Sequence, residues 1–279
     1  MKKRFRPDRI LPKTQLARVV LAAVLACVLA PAAADTVPVR FREGLVHGFL
    51  ALRTEDGRTI ADGRMLQVAD GNTVTTRLVF HFKDGSLEDE TAVFTQQDVI
   101  RLVSSKLLQK GPAFPRTLEM TIDASTGRVS VRHGEGDDVE VHSEIMELPP
   151  DLTTGQLLLT QLKNLKPDAP PLHLSLLVAT PKPRLLAVTV EREARDAFFL
   201  AGARDEATRY RVRARLGGLK GAFATLLDKQ PLDAHVWILH GVAPAFVMSE
   251  SQHYQDGPVW RIELVSPTWP VGERATAER

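Results

Sequence analysis

Cysteine is all but missing from this chain: Cys27 is the one thiol among 279 residues. A single thiol builds no internal disulfide framework, and paired CxxC zinc sites are excluded with it. Catalytic signatures are missing too. There is no HExxH segment and no GxSxG elbow, and Gly217, Gly218 and Gly221 lack the Gly-Lys-Ser/Thr ending of a phosphate loop. The acidic stretch Gly134–Asp138 departs from calcium-loop spacing and reads as a solvated turn. His235 and His240 stand five apart in a strand-like run, an odd separation that sets them on opposite faces. His133 and His142 also fall on opposite faces of their hairpin. No metal, no cofactor and no catalytic set is expected.

An excess of one charge is also absent, with 36 Lys+Arg against 34 Asp+Glu. The distribution says more than the total. Lys2, Lys3, Arg4, Arg6, Arg9, Lys13 and Arg18 crowd the start, Val19–Ala30 is an apolar run too short to span a bilayer comfortably, and Ala32–Ala34 offers small residues for cleavage. Residues 1–34 read as a cleaved export signal. Processing as a lipoprotein at Cys27 is the competing reading, because Val24-Leu25-Ala26-Cys27 loosely fits a lipobox. The leader holds 7 of the bases and 1 of the acids, which leaves 29 bases against 33 acids beyond it. A mildly acidic mature chain exerts no general pull on nucleic acid. It also lacks Cys27, so packing alone must hold its remaining residues together in an oxidising compartment such as the periplasm.

What is abundant is β grammar. Thr76–Thr95 alternates polar and apolar residues on either side of Asp84-Gly85, which suits a two-residue type I′ turn. That turn predicts Lys83 opposite Ser86 and Phe80 opposite Asp89. One face then carries Leu78, Phe80, Phe82, Leu87, Val93 and Asp89, and the other carries Arg77, His81, Lys83, Glu88 and Glu90. Further strands are predicted over Val37–Phe41, Leu45–Arg53, Thr59–Val68, Val99–Leu108, Leu118–Asp123, Arg128–His133 and Val139–Leu148. After Pro149-Pro150, Asp151–Lys166 predicts a helix with Leu158, Leu159, Leu162 and Leu165 as its apolar stripe. Strands resume at Leu172–Ala179, Leu185–Glu193, Ala207–Leu216, Ala234–His240, Ala245–His253 and Val259–Val265, with a short helix-like stretch at Leu219–Leu227. The fold class is mainly β: about fourteen strands in an antiparallel meander, a curved sheet or open barrel covered or plugged by one helix. Residues 35–267 form a single domain with a candidate junction at 149–171, and 268–279 form a flexible tail.

Two places draw attention as sites. Asp89, placed among Leu78, Phe80 and Phe82, is a candidate acid or base with His81 or another nearby histidine. The plainer reading is a shifted register, or a carboxylate at a wet strand end. Arg209, Arg211, Arg213 and Arg215 share one strand face and are suited to phosphates or carboxylates such as lipid head groups. Their plainer reading is a solvated face matched by Glu191 and Glu193 on the next strand.

Several stretches carry a resemblance: VPVRF (Val37–Phe41), EGLVHGFLALR (Glu43–Arg53), KDGSLEDET (Lys83–Thr91), QKGPAFPR (Gln109–Arg116), TPKPR (Thr180–Arg184), HVWIL (His235–Leu239), PAFVMSE (Pro244–Glu250) and GPVWRIEL (Gly257–Leu264). Together they resemble a family of uncharacterised bacterial exported proteins, which supplies no catalytic residues to carry over. In architecture alone the pattern is similar to the outer-membrane lipoprotein carriers, whose curved sheets hold acyl chains. The expected function is a non-enzymatic envelope module that binds or carries an apolar or lipid-like ligand. The alternatives are an envelope hydrolase using Asp89 with a histidine and a structural partner of another envelope protein, joined through a sheet edge. An apolar cavity favours the carrier, a cleft converging on Asp89 and a histidine favours the enzyme, and a filled core favours the partner.

Overall fold

The computed structural model describes residues 35–180, 182–200, 202–215 and 232–266. The expected leader, the helix-like stretch Leu219–Leu227 and the tail 268–279 lie outside them. Among the described residues, fifteen strands build one sheet. The first group is β1 (Val46–Thr54), β2 (Thr59–Asp70), β3 (Thr73–Phe82), β4 (Leu87–Gln96), β5 (Ile100–Lys110), β6 (Leu118–Asp123), β7 (Arg128–His133) and β8 (Glu140–Ile145). The second is β9 (Leu152–Thr153), β10 (Leu172–Thr180), β11 (Lys182–Leu200), β12 (Ala203–Arg215), β13 (Ala234–Leu239), β14 (Ala245–Gln252) and β15 (Val259–Leu264). One helix, α1 (Gly155–Asn164), stands between β9 and β10.

The strand order, β8 through β1 and then β15 down to β9, makes the sheet two meanders joined where β1 meets β15. All pairings are antiparallel except the short one between β9 and β10. This connectivity dictates the curvature. Laid flat at about 4.8 Å per strand, the edges β8 and β9 would stand about 67 Å apart. Yet β8 ends at Ile145 and β9 begins at Leu152, a stretch of chain that reaches about 25 Å at most. The sheet must therefore curl, and β7 meets β11 while β5 meets β9. It remains unclosed, because β8 and β9 do not pair.

The curled sheet wraps α1, which touches β3, β4, β13 and β14. The helix is shorter than the predicted Asp151–Lys166, because Leu152 and Thr153 are taken by β10. Its buried face also differs from the predicted stripe: Leu157 and Leu162 are fully covered together with Thr160, Gln161 and Asn164. A helix surrounded by sheet buries polar residues when each finds a partner. Gln161 accepts from Thr153 Oγ1 at 2.7 Å, and Asn164 Oδ1 accepts the N–H groups of Arg40 and Phe41 at 2.8 Å each. Those bonds hold the segment predicted as a first strand over Val37–Phe41. It makes only the isolated bridge Pro38–Val99 and otherwise crosses the end of the helix. Lys163 reaches Glu43 of the same segment at 2.6 Å.

Apolar residues line the inner face from both meanders, including Leu50, Leu52, Phe80, Phe94, Val129, Val131, Val190, Tyr210 and Ile238. Phe82, Phe114, Tyr254 and Trp260 pack edge to face or tilted, with centroids 5.4–6.0 Å apart. Offset geometries of this kind suit the ring quadrupole. Gly63 belongs to the same packing: a Cβ there would come 2.4 Å from the Phe80 ring, so only glycine lets that ring lie against β2.

The hairpin between β3 and β4 corrects the predicted register by one residue. Phe82 N–H donates to Ser86 O at 2.9 Å and Gly85 N–H to Phe82 O at 3.1 Å, closing a three-residue loop Lys83-Asp84-Gly85. Gly85 takes the left-handed conformation (φ 87°) that such a loop demands. Phe80 consequently faces Glu88, and Val79 faces Asp89. Phe80 and Phe82 stay inside as predicted. On β4 every residue changes face: Glu88 and Glu90 turn inward, while Leu87, Asp89 and Val93 turn outward.

Candidate functional site

The corrected register creates two neighbouring sites on opposite faces of β4. On the outer face, directly opposed residues form three rows across the sheet. Ala51, Asp62, His81 and Leu87 make one row, Phe49, Arg64, Val79 and Asp89 the next, and His47, Leu66, Arg77 and Thr91 the third. Charged and apolar side chains thus interleave in a checkerboard. A groove of about 550 Å³ lies here, lined by Phe49, Leu66, Val79 and Leu87 with Arg64, Arg77, Asp62, His81 and Asp89 among them. Its volume falls within the range of small-molecule sites. Asp89 and His81, named from the sequence on opposite faces, come together in this groove. Asp89 is nevertheless committed elsewhere. Arg77 grips it through two parallel bonds, Nε to Oδ1 at 2.9 Å and Nη2 to Oδ2 at 2.6 Å, a fork that fixes both oxygens. This diagonal cross-strand pair also raises the Arg77 guanidinium above its ordinary value.

On the inner face, Glu88 accepts from Gln109 Nε2 at 2.9 Å and lies 2.9 Å from His253 Nδ1. Gln109 Nε2 also reaches His253 O at 2.9 Å. The His253 side chain is 6 % exposed, and its Nε2 is buried with no hydrogen-bond partner. Burial opposes the imidazolium, but the charge and hydrogen bond of Glu88, with the charge of Glu90 behind them, raise His253 above its ordinary value. The pair links β4 of the first meander to the chain just beyond β14 of the second.

Glu90 lies next to this pair and meets the start of α1. Its Oε1 accepts from Gln156 N–H at 3.1 Å, while Thr154, at the N-cap position, makes no side-chain cap bond. A carboxylate from the sheet therefore caps the helix in place of the local residue. Gly155 permits the approach, since a Cβ there would stand 2.9 Å from Glu90 Oε2. Glu90 keeps some accessible surface along its side chain, although protein surrounds its carboxylate. Burial pushes it up to about 7, with the Gln156 bond opposing and the charge of Glu88 adding to the rise.

Sequence reasoning missed Glu88, Glu90, Gln109 and His253 as a group. The signal that finds two of them is the loop: with Gly85 read as the third loop residue, β4 shifts and both glutamates point inward. His253 closes the predicted strand Ala245–His253 and lies one residue beyond β14 in the structure, where alternation does not say which strand it meets.

The arginine stripe stands on the outer face of β12, away from Tyr210 and Val212, which are buried. Arg209 contacts Glu193 at 3.0 Å and Asp196 at 3.4 Å. Arg211 contacts Glu191 at 3.1 Å and Glu193 at 3.7 Å, and Arg213 contacts Asp233 at 3.3 Å. Glu191 raises Arg211 above its ordinary value, chiefly through its hydrogen bond. Arg215 is placed by its backbone opposite Ala187, and its side chain lies outside the described residues. His235, on the neighbouring strand, comes 3.4 Å from Glu193. His240 instead shares a 2.8 Å bond with the Tyr210 hydroxyl. Burial lowers that imidazole and pushes Tyr210 up to about 12. Among the described residues no three His, Cys, Asp or Glu side chains are disposed to hold a metal, and no helix is long and apolar enough to cross a membrane.

The chain matches no protein-family model and no curated protein. Among solved structures it is similar to a β-barrel-like protein of a domain of unknown function, DUF1849, from Brucella abortus. That likeness has a TM-score of 0.45 at 10% identity, over 85% of this chain and 100% of the other.

Proposed function

We propose that this chain is a cell-envelope binding module whose outer groove takes an apolar or lipid-like ligand. The observation that carries the reading is the checkerboard groove. Phe49, Leu66, Val79 and Leu87 offer an apolar bed, and Arg64 stands among them as a cation with no ion pair to another described residue. The apolar body of an amphiphile lies along that bed with its polar end at Arg64. Ligand binding shifts to this face because α1 and the aromatic cluster pack the inner one. The hydrolase alternative is weaker, since Arg77 occupies both oxygens of Asp89. Export is supported by the basic, apolar and small-residue order of residues 1–34. The resemblance to uncharacterised exported proteins points the same way.

Titration with a dansylated fatty acid tests the reading. Leu66 is 46% exposed, so Leu66→Asp should leave thermal stability unchanged while weakening probe binding by about tenfold or more. Equal binding by the variant and the natural chain overturns the groove as the site. Native mass spectrometry of protein taken from its own envelope then identifies the occupant.

A further inference from the structure

The two edges of the sheet are finished differently. The edge at β10 is guarded: β9 covers Ser175 and Leu176, and Asp35 Oδ2 accepts the His173 N–H at 2.9 Å. The edge at β8 is guarded only by its short length and by Glu140 and Glu144. Its sequence, Glu140-Val141-His142-Ser143-Glu144-Ile145, has no proline and no lysine, and its pairing with β7 runs without a bulge. Val141 and Ile145 are 61% and 66% exposed.

Hydrogen-bond alternation shows which backbone groups this edge offers. Met146 N–H donates to Gly127 O at 2.8 Å, continuing the β7–β8 ladder. Even-numbered residues therefore bond to β7, and the N–H and C=O groups of Val141, Ser143 and Ile145 point away from the sheet. Val141, Ser143 and Ile145 also share one side-chain face, beside Arg132, Ser130 and Arg128.

We propose that β8 is a dimer interface, pairing antiparallel with β8 of a second copy about a two-fold axis at Ser143. This register uses all three outward residues: Ser143 meets the partner's Ser143, and Val141 meets the partner's Ile145 in both directions. About six backbone hydrogen bonds result. The two exposed apolar side chains of each copy cover one another. On the other face, His142 comes opposite the partner's Glu144, exchanging its long 3.8 Å contact with Glu140 for a cross-strand neighbour of complementary charge. The competing registers are poorer. An axis at His142 sets Glu140 opposite the partner's Glu144 and leaves Ile145 without a partner inside the strand, and an axis at Val141 or Ile145 leaves more of the strand unpaired. An isologous contact of this kind closes at two copies. One short strand buries little area, so the dimer is a weak, concentration-dependent one.

The register predicts a specific cross-link. Directly opposed hydrogen-bonded residues have Cα atoms about 5.5 Å apart, inside the range a disulfide spans. Ser143→Cys in the leaderless chain, which has no other thiol, should form a covalent dimer under mild oxidation, and Glu144→Cys should not. Sedimentation equilibrium of the unmodified chain should show a monomer–dimer equilibrium. Ser143→Pro should weaken it by about tenfold or more with an unchanged melting temperature, because the N–H it removes faces away from β7. If that variant fails to fold, Val141→Lys takes its place with the same expectation. A chain monomeric at every concentration, open-ended oligomers, an unaltered dimer in both edge variants, or equal cross-linking at positions 143 and 144 would each overturn the proposal. Capture of a strand from a different protein by a chain that stays monomeric overturns it as well.

Discussion

Glu90→Gln is the substitution by which the inner site can be judged. Burial moves the Glu90 carboxyl from an ordinary 4.5 to about 7. Below pH 4.5 the folded and unfolded chains both hold the proton. From there to about pH 7 the unfolded chain releases it while the folded chain keeps it, so stability present in acid is lost as the pH rises through that window. At about 1.4 kcal/mol per pKa unit the loss reaches about 3 kcal/mol. This is an upper figure, because the residue keeps some accessible surface. His253 adds a loss of the same sign as pH rises past its own raised value.

The amide of Glu90→Gln still accepts the Gln156 N–H bond but never ionises. Urea denaturation from about pH 4 to about pH 8.5 should find the variant close to the natural chain in acid. It should then become more stable than the natural chain above about pH 7, by up to about 3 kcal/mol. The variant keeps most of the His253 contribution, so the difference between the two curves isolates Glu90. A difference that stays flat with pH would mean that Glu90 is ionised throughout. A variant that loses stability relative to the natural chain as the pH rises would mean that the carboxylate, rather than its desolvation, matters most to the cap. Either result refutes the reasoning.

Two further outcomes test the two faces. Phe80→Ala removes a ring with no exposed surface and should cost about 3–5 kcal/mol, whereas Arg77→Ala, in an exposed cross-strand pair, should stay within about 1 kcal/mol; paired denaturant melts that reverse this order would contradict the assigned faces. The double substitution Arg211→Gln and Arg213→Gln should leave binding to anionic lipid vesicles unchanged at low salt, because Glu191, Glu193 and Asp233 already surround those guanidinium groups; a clear loss of vesicle binding would make the stripe a head-group site.

Much of the fold is legible because alternation and turn residues agree. The β6–β7 hairpin shows this well: Glu119 opposite Arg132, Thr121 opposite Ser130 and Asp123 opposite Arg128 follow from its spacing and occur in the structure. There the polar residues alternate cleanly on both strands. On β4 they do not. Leu87 and Val93 mark one face as apolar while Ala92 and Phe94 mark the other, so the turn alone decides the register. Asp84-Gly85 suits either a two-residue loop or the end of a three-residue loop, and the choice moves every β4 side chain across the sheet. The helix poses a different problem. Its apolar residues suggest a stripe through Leu158 and Leu165, yet α1 is surrounded by sheet, and Gln161 and Asn164 are buried because β9 and the 35–45 segment supply their partners. Such partners are remote in sequence, and periodicity does not contain them.

The electrostatics of Glu88-Asp89-Glu90 follow from that one loop. Alternation sends the middle acid outward and its neighbours inward, and each then meets different surroundings. Asp89 finds a guanidinium on the next strand, and Glu88 finds an imidazole brought in by the second meander. Glu90 finds peptide dipoles at the head of α1 and no cation in direct contact among the described residues. Dipoles offset desolvation less fully than a formal charge does, which accounts for Glu90 holding its proton near neutrality. The inner and outer sites are consequently tied through a single strand. A change at Glu90 that shifts β4 against α1 also shifts Asp89, and with it the Arg77 pair in the groove. Ligand titrations in Glu90→Gln should therefore lose any dependence on pH that the natural chain shows between about pH 5 and about pH 7.5. Persistence of that dependence would place its origin outside the inner site.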